Sequence, residues 1–262
     1  MATPSRSSTP DGERPKPSSA PEPPDASFLV ADDRCLVALV DAASAEATAK
    51  AGDHVVCGSG CSPCCFGPFS ITPLDAWRLG RGLDALASTA ADTAQGIVER
   101  ALATAAAQTS TFAPEQVGQL RSEEEERHHY KAFADVPCPA LCPNSGTCLI
   151  YEWRPLACRT HGPPLHRSGD DFPPCPLCFK KADPALVDEM RLCLDVVDDV
   201  ETPLVERVAA EEDNDARTTV TFALAAWSGS SVSAPPETPR PDEEPHRPHS
   251  RPSSARSALP GE

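Results

Sequence analysis

The sequence predicts a mainly α protein, a single helical domain carrying long cysteine loops that a metal would stabilise. Three observations lead there. Apolar residues recur at helical spacing in several segments. Half of the 30 prolines lie in two terminal stretches, residues 1–27 and 229–262. Ten of the 12 cysteines fall into two glycine- and proline-rich loops. The terminal stretches show no apolar period, so burial cannot offset the entropy of ordering them. They read as disordered tails around one domain of ordinary size, residues 28–228.

Residues 28–50 alternate leucine and valine with acids, which reads as one amphipathic helix or two short ones. Residues 54–71 carry four cysteines, three glycines and two prolines and read as a loop. Thr72-Pro73-Leu74-Asp75 starts a helix, with Thr as N-cap, Pro in the first position and an acid in the third. Leu74, Trp77, Leu83 and Leu86 form its stripe, weakened by Gly80 and Gly82. Residues 91–109 place Ile97, Val98, Ala101, Leu102 and Ala105 on one face. Residues 121–131 are charged all round and read as a solvated helix. A second loop spans 136–180. Asp183-Pro184 opens a helix whose stripe runs from Leu186 to Val200, and Thr202-Pro203 restarts it. Thr218 to Trp227 fits strand or helix. The count expected is four to six helices with little or no sheet.

Charge narrows the function. The chain has 23 Lys and Arg against 39 Asp and Glu, a net charge of −16. Residues 28–228 hold 30 of those acids, so the acidity belongs to the folded part. An acidic face repels a phosphate backbone and an anionic lipid surface, so neither nucleic acid nor membrane is an expected partner. No stretch is apolar for the roughly 18 to 20 residues of a membrane span. The first 26 residues lack a secretory apolar core. Many thiols without an export signal suit the reducing cytoplasm, where clustered cysteines bind metal more often than they form disulfides.

The first loop reads Cys57-x3-Cys61-x2-Cys64-Cys65. The second holds Cys138, Cys142, Cys148, Cys158 and then Cys175-x2-Cys178. Thiolates two or three residues apart can bend back onto one ion, and intervening glycines permit the bend. Adjacent side chains tend to diverge, so the Cys64-Cys65 pair points to a structural member, two metal positions or a cluster. Four thiolates close one tetrahedral zinc or one four-iron cluster, and the two loops hold more than that. Cys35 and Cys193 stand alone within helical segments and read as small core hydrophobes. Cys175-Pro-Leu-Cys178 has ligand spacing, but Pro176 stiffens it. His161, three residues after Cys158, also has ligand-like spacing, although a lone histidine is commonly a hydrogen-bonded surface residue. Arg154 and Arg159 flank Cys158; they either offset thiolate charge or form surface ion pairs. Tyr151 and Trp153 read as packing beneath the loop.

Together, Cys57-Gly-Ser-Gly-Cys61-Ser-Pro-Cys64-Cys65, Cys138-Pro-Ala-Leu141, Thr147-Cys-Leu-Ile-Tyr-Glu152 and Arg154-Pro-Leu-Ala-Cys-Arg159 resemble the YkgJ-like cysteine-cluster proteins, a zinc- or iron-chelating family with the label CxxCxxCC. The likeness covers about residues 57–160. One spacing departs from the pattern, with three residues between Cys57 and Cys61. The resemblance implies metal ligation by Cys57, Cys61, Cys64, Cys65, Cys138, Cys148 and Cys158; Cys142, Cys175 and Cys178 lie outside its motif. The family is itself similar to the cysteine-rich part of flagellin lysine N-methylases, but no glycine-rich nucleotide-binding fingerprint accompanies it here.

Two functions follow as expectations. One is an iron–sulfur or iron centre serving redox chemistry or a metal-dependent modification, with a redox or protein partner. The other is a zinc-binding structural or chelating module without catalysis. No Gly-x-Ser-x-Gly elbow and no His-Glu-x-x-His helix supports a hydrolase.

Overall fold

The computed structural model describes residues 26–229. The expected tails, 1–27 and 229–262, lie outside that range except for Ala26, Ser27 and Gly229. The fold is mainly α, as expected, although the described residues form eight α-helices rather than four to six. Most of the excess comes from short helices that periodicity does not register.

The first helix, α1 (Ala26–Ala51), is a single element. Leu29, Leu36 and Val40 are buried along it, and Cys35 falls on the exposed side. Cys35 is therefore not the core residue expected. Helix α2 (Pro73–Thr89) begins as its sequence predicts. Thr72 Oγ1 accepts from Asp75 N at 3.2 Å, with Pro73 in the first turn. Helix α3 (Ala91–Gln108) buries Ile97, Val98, Ala101 and Ala105, but Leu102 is 51% exposed and leaves the expected stripe. Helix α4 (Glu123–Ala132) carries a capping box between Ser122 and Glu125. The remaining helices are α5 (Leu156–Arg159), α6 (Pro184–Glu189), α7 (Asp195–Glu211) and α8 (Val220–Ala225).

Two corrections concern the C-terminal half. The stripe from Leu186 to Val200 is not one helix: α6 stops at Glu189, and Leu192–Cys193 form a strand. Leu192 N donates to Pro164 O at 2.8 Å and Leu194 N to His166 O at 2.9 Å, so pairing with the second loop replaces helical bonds there. Cys193 is thus in a strand and exposed, not packed in a helix. Conversely, Pro203 does not restart a helix; it lies inside α7. It forfeits one backbone bond, while Val197, Leu204 and Val208 hold the helix to the core.

The described residues also form five short strands. β1 (Ser70–Ile71) pairs antiparallel with β5 (Thr218–Thr219), in the register Ser70 to Thr219. β2 (Leu165–Arg167) lies between β3 (Asp170–Phe172), antiparallel, and β4 (Leu192–Cys193), parallel. The segment from Thr218 onward, readable either way, is strand and then helix. Two main cores result. One joins α2, α3 and α8 through Leu79, Leu83, Ile97 and Leu224, and reaches Ala140 and Ile150 of the second loop. The other joins α1 and α7 through Leu36, Val40, Val197 and Val208, and takes in Leu74 and Leu156. Each core therefore holds a part of the cysteine loops.

Gly82, read from sequence as a weakness in α2, is a seat. A Cβ there would lie 2.5 Å from Trp153 Cβ. Gly82→Ala is expected to lose about 1–2 kcal/mol, because overpacking outweighs the gain in helix propensity. Urea melts of the two proteins check this; equal or higher stability would show that Trp153 moves freely.

Candidate metal centre

The first loop leaves α1 through a 3-10 turn at Gly52–His54 and bends twice before α2. Cys61 N donates to Gly58 O at 3.0 Å and Cys65 N to Ser62 O at 2.8 Å. Cys65 O then accepts from Cys138 N at 2.7 Å, and Gly67 N donates to Val136 O at 2.9 Å, tying the first loop to the second. Gly67 needs its positive φ of 80°, since a Cβ there would sit 3.0 Å from Ala134 O.

All seven cysteines of the family pattern line one cavity of about 940 Å³, together with Cys175. Arg154, Arg159 and His161 also line it, with Phe69, Leu79, Ile150 and Val220 as apolar lining. The thiols divide into two groups.

The first group holds Cys57, Cys175 and Cys178, whose sulfurs all lie within 4.8 Å of one another. Cys57 Sγ and Cys178 Sγ are 3.8 Å apart. Burial and the hydrogen bond with Cys178 push the Cys57 thiol up to about 12; the charges of Cys178, Cys175 and Cys61 add to this. Thiolates crowded this closely are stable together only around a cation.

The second group surrounds the adjacent pair. Cys64 and Cys65 share a hydrogen bond that lowers the Cys65 thiol and, with burial, raises that of Cys64. Burial pushes Cys138 up to about 11, with Cys148 adding to it. Burial also raises Cys158 well above its ordinary value, and Cys138, Asp75, Cys148 and Cys64 reinforce the shift. Arg154 works the other way, easing the ionisation of Cys64 and Cys148. Its guanidinium lies over the Tyr151 ring, 3.6 Å from the centroid. The two arginines that flank Cys158 thus have different duties. Arg159 is buried and clamps the turn: Nη1 binds Asp41 at 2.6 Å, Nε donates to Arg154 O at 3.1 Å, and Nη2 reaches Glu152 O.

The sequence left the roles of Cys175 and Cys178 open; their sulfurs lie within 4.8 Å of that of Cys57. The signal was their two-residue spacing. Pro176 leaves the turn intact, for Cys178 N donates to Cys175 O at 2.8 Å. Cys142 is in neither group. It lies on a tight hairpin, bonded from its N to Thr147 O at 2.8 Å, and a hydrogen bond from Ser145 lowers its thiol.

Fold and site together define a helical, cysteine-rich domain with a thiol triad able to bind a metal ion. Residues 56–176 match the CxxCxxCC family, described as "Putative zinc- or iron-chelating domain". This is the family that the cysteine motifs resemble. The match takes in Cys175 and stops short of Cys178. Comparison with curated proteins and with solved structures gave no match. No helix among the described residues is long and apolar enough to cross a membrane.

Proposed function

We propose that the chain holds an iron–sulfur centre on Cys64, Cys65, Cys138, Cys148 and Cys158, and uses it for redox chemistry or a metal-dependent modification. The observation that carries this reading is the second thiol group: five cysteines, from both loops, that line one large cavity. Among the described residues no three of them fall within 4.8 Å of one another, unlike the triad. A single ion draws its ligands close, whereas a cluster is wider and holds them further apart. The donor set fits, since all five are thiols, and burial makes Cys138, Cys148 and Cys158 poor thiolates without a cation. Such a cluster, when bound, stores and releases single electrons.

The chain's own residues then have defined duties. Arg154 offsets thiolate charge, and hydrogen bonds or charges of this kind tune potential and affinity. Asp75 and Arg159 hold the turn that presents Cys158. The cavity exceeds what the thiols need and leaves room for a second reactant. Gln108 Oε1 and Thr219 Oγ1 are buried on its lining without hydrogen-bond partners, which suits a polar group entering there. The reactant or electron partner is an acceptor or donor that reaches the cavity at Arg154 and His161.

Protein purified without oxygen is expected to contain iron and acid-labile sulfide, with broad visible absorption that dithionite bleaches. Cys158→Ser should lose most of that absorption. Protein that binds zinc alone and stays colourless would reject the redox reading in favour of a structural module.

A further inference from the structure

We propose that Cys57, Cys61, Cys175 and Cys178 form a separate, closed zinc site that staples the end of α1 to the segment following Gly162. Two bonds of about 2.3 Å meeting at a tetrahedral angle place their sulfurs ~3.8 Å apart. Cys57 and Cys178 show a separation of 3.8 Å, and Cys175 lies within 4.8 Å of both. Three corners of a tetrahedron are therefore in place. Cys61 is the fourth in this proposal: the loop turns back at the Gly58 O to Cys61 N bond of 3.0 Å, and Cys61 lines the same cavity as Cys57 and Cys175.

The surroundings are those of a built site. Cys175 and Cys178 are buried at 4% exposure each. Gly162 has φ 137°, and a Cβ there would lie 3.3 Å from Cys57 Sγ, so a larger residue would crowd the sulfur. Phe179 N donates to His54 O at 2.9 Å, which clasps this segment to the chain just after α1, and Cys175 N donates to Gly162 O at 3.0 Å, which closes the segment on itself. The His54 and Phe179 rings stack with centroids 5.4 Å apart.

A staple is also needed there. The buried part of this region is a satellite core of Ala51, Cys175, Cys178 and Phe179, separate from both main cores. So small a core gains order when metal-binding energy becomes folding energy. Four thiolates and no open position are the marks of a structural zinc rather than a catalytic one. This site stands apart from the five-thiol centre and does not rest on the iron–sulfur reading.

The test is zinc, iron and sulfide content of the full-length protein and its variants. Cys57→Ser, Cys175→Ser and Cys178→Ser are each expected to carry one zinc fewer than the parent, with iron and sulfide unchanged. Cys61→Ser should behave alike, whereas His161→Ala and Cys142→Ser should keep the zinc. Cys178→His, which restores a ligand, should recover it. Where a serine variant fails to fold, the parent protein supplies the answer by alkylation and mass spectrometry. Cys57, Cys61, Cys175 and Cys178 should be protected as a set and become reactive when a chelator removes zinc, while exposed Cys35 and Cys193 label throughout. Unchanged zinc in the serine variants, loss of iron instead of zinc, or alkylation of the four thiols in zinc-loaded protein would each overturn the proposal. A parent with zinc at this site and no iron would reject the redox reading alone.

Discussion

Arg78→Met is expected to remove about 3–5 kcal/mol of stability, the usual consequence of breaking a buried ion pair on one side. Arg78 is 1% exposed and lies between two carboxylates. Its Nε donates to Asp33 Oδ1 at 3.1 Å, its Nη2 reaches the same oxygen at 2.5 Å, and its Nη1 binds Asp75 Oδ1. Asp33 is on α1 and Asp75 in the first turn of α2, so the guanidinium joins the two helices. Asp75 Oδ1 also accepts from Leu156 N at 3.1 Å, at the start of the short helix that carries Cys158. Methionine fills the volume but leaves two buried carboxylates unpaired. A domain of ordinary stability keeps only about 5–15 kcal/mol in total. The variant should therefore unfold at much lower urea with an unchanged slope. Adding Asp33→Asn and Asp75→Asn should restore a substantial part, because the uncompensated charge is the chief cost. A loss below about 1 kcal/mol in the single variant would show that the trio is screened by water.

This trio illustrates which features a sequence exposes. Thr72-Pro73 and Asp183-Pro184 start helices because capping is a local bargain between a side chain and the next few backbone groups. Both caps are present, with Asp183 Oδ1 accepting from Ala185 N at 2.8 Å. The cysteine loops are equally legible, since glycine and proline rule out regular structure there and thiols announce their chemistry. What remained hidden depends on long-range packing. Asp33 looks like any acid in an amphipathic helix until Arg78 arrives from α2. Cys57 and Cys178 are 121 residues apart, and no local rule says that they meet. The apolar run from Leu186 to Val200 has a helical period, and the pairing of Leu192–Cys193 with β2 overrides it. The same is true of Cys35 and Cys193, whose apolar neighbours in sequence are not their neighbours in space.

His129 is the sharpest case, because it sits in a segment whose charges suggest full solvation. Only one face of α4 is buried, and His129 is on it at 1% exposure. Phe112, Phe133 and Phe222 surround the ring, with centroids 4.9, 5.1 and 6.2 Å away. Nδ1 is 2.8 Å from Thr111 Oγ1, and Nε2 has no partner. Burial, with a smaller contribution from the charge of His128, pushes its pKa down to about 4. The unfolded chain titrates near 6.5, so between these values the unfolded state binds the extra proton. The stability that follows is present above about pH 6.5 and is lost as the pH falls toward 4. Between pH 7.5 and 5 the loss should be about 2 kcal/mol. Other groups titrate in acid as well, so the comparison is with His129→Phe, which keeps a ring and cannot take up a proton. Thr111 Oγ1 retains Gln108 O as an acceptor at 3.1 Å in that variant. Urea melts at the two pH values should show the parent losing about 2 kcal/mol more than the variant. Parallel losses would mean that water reaches His129 in the folded state, and that the aromatic cage around it opens readily.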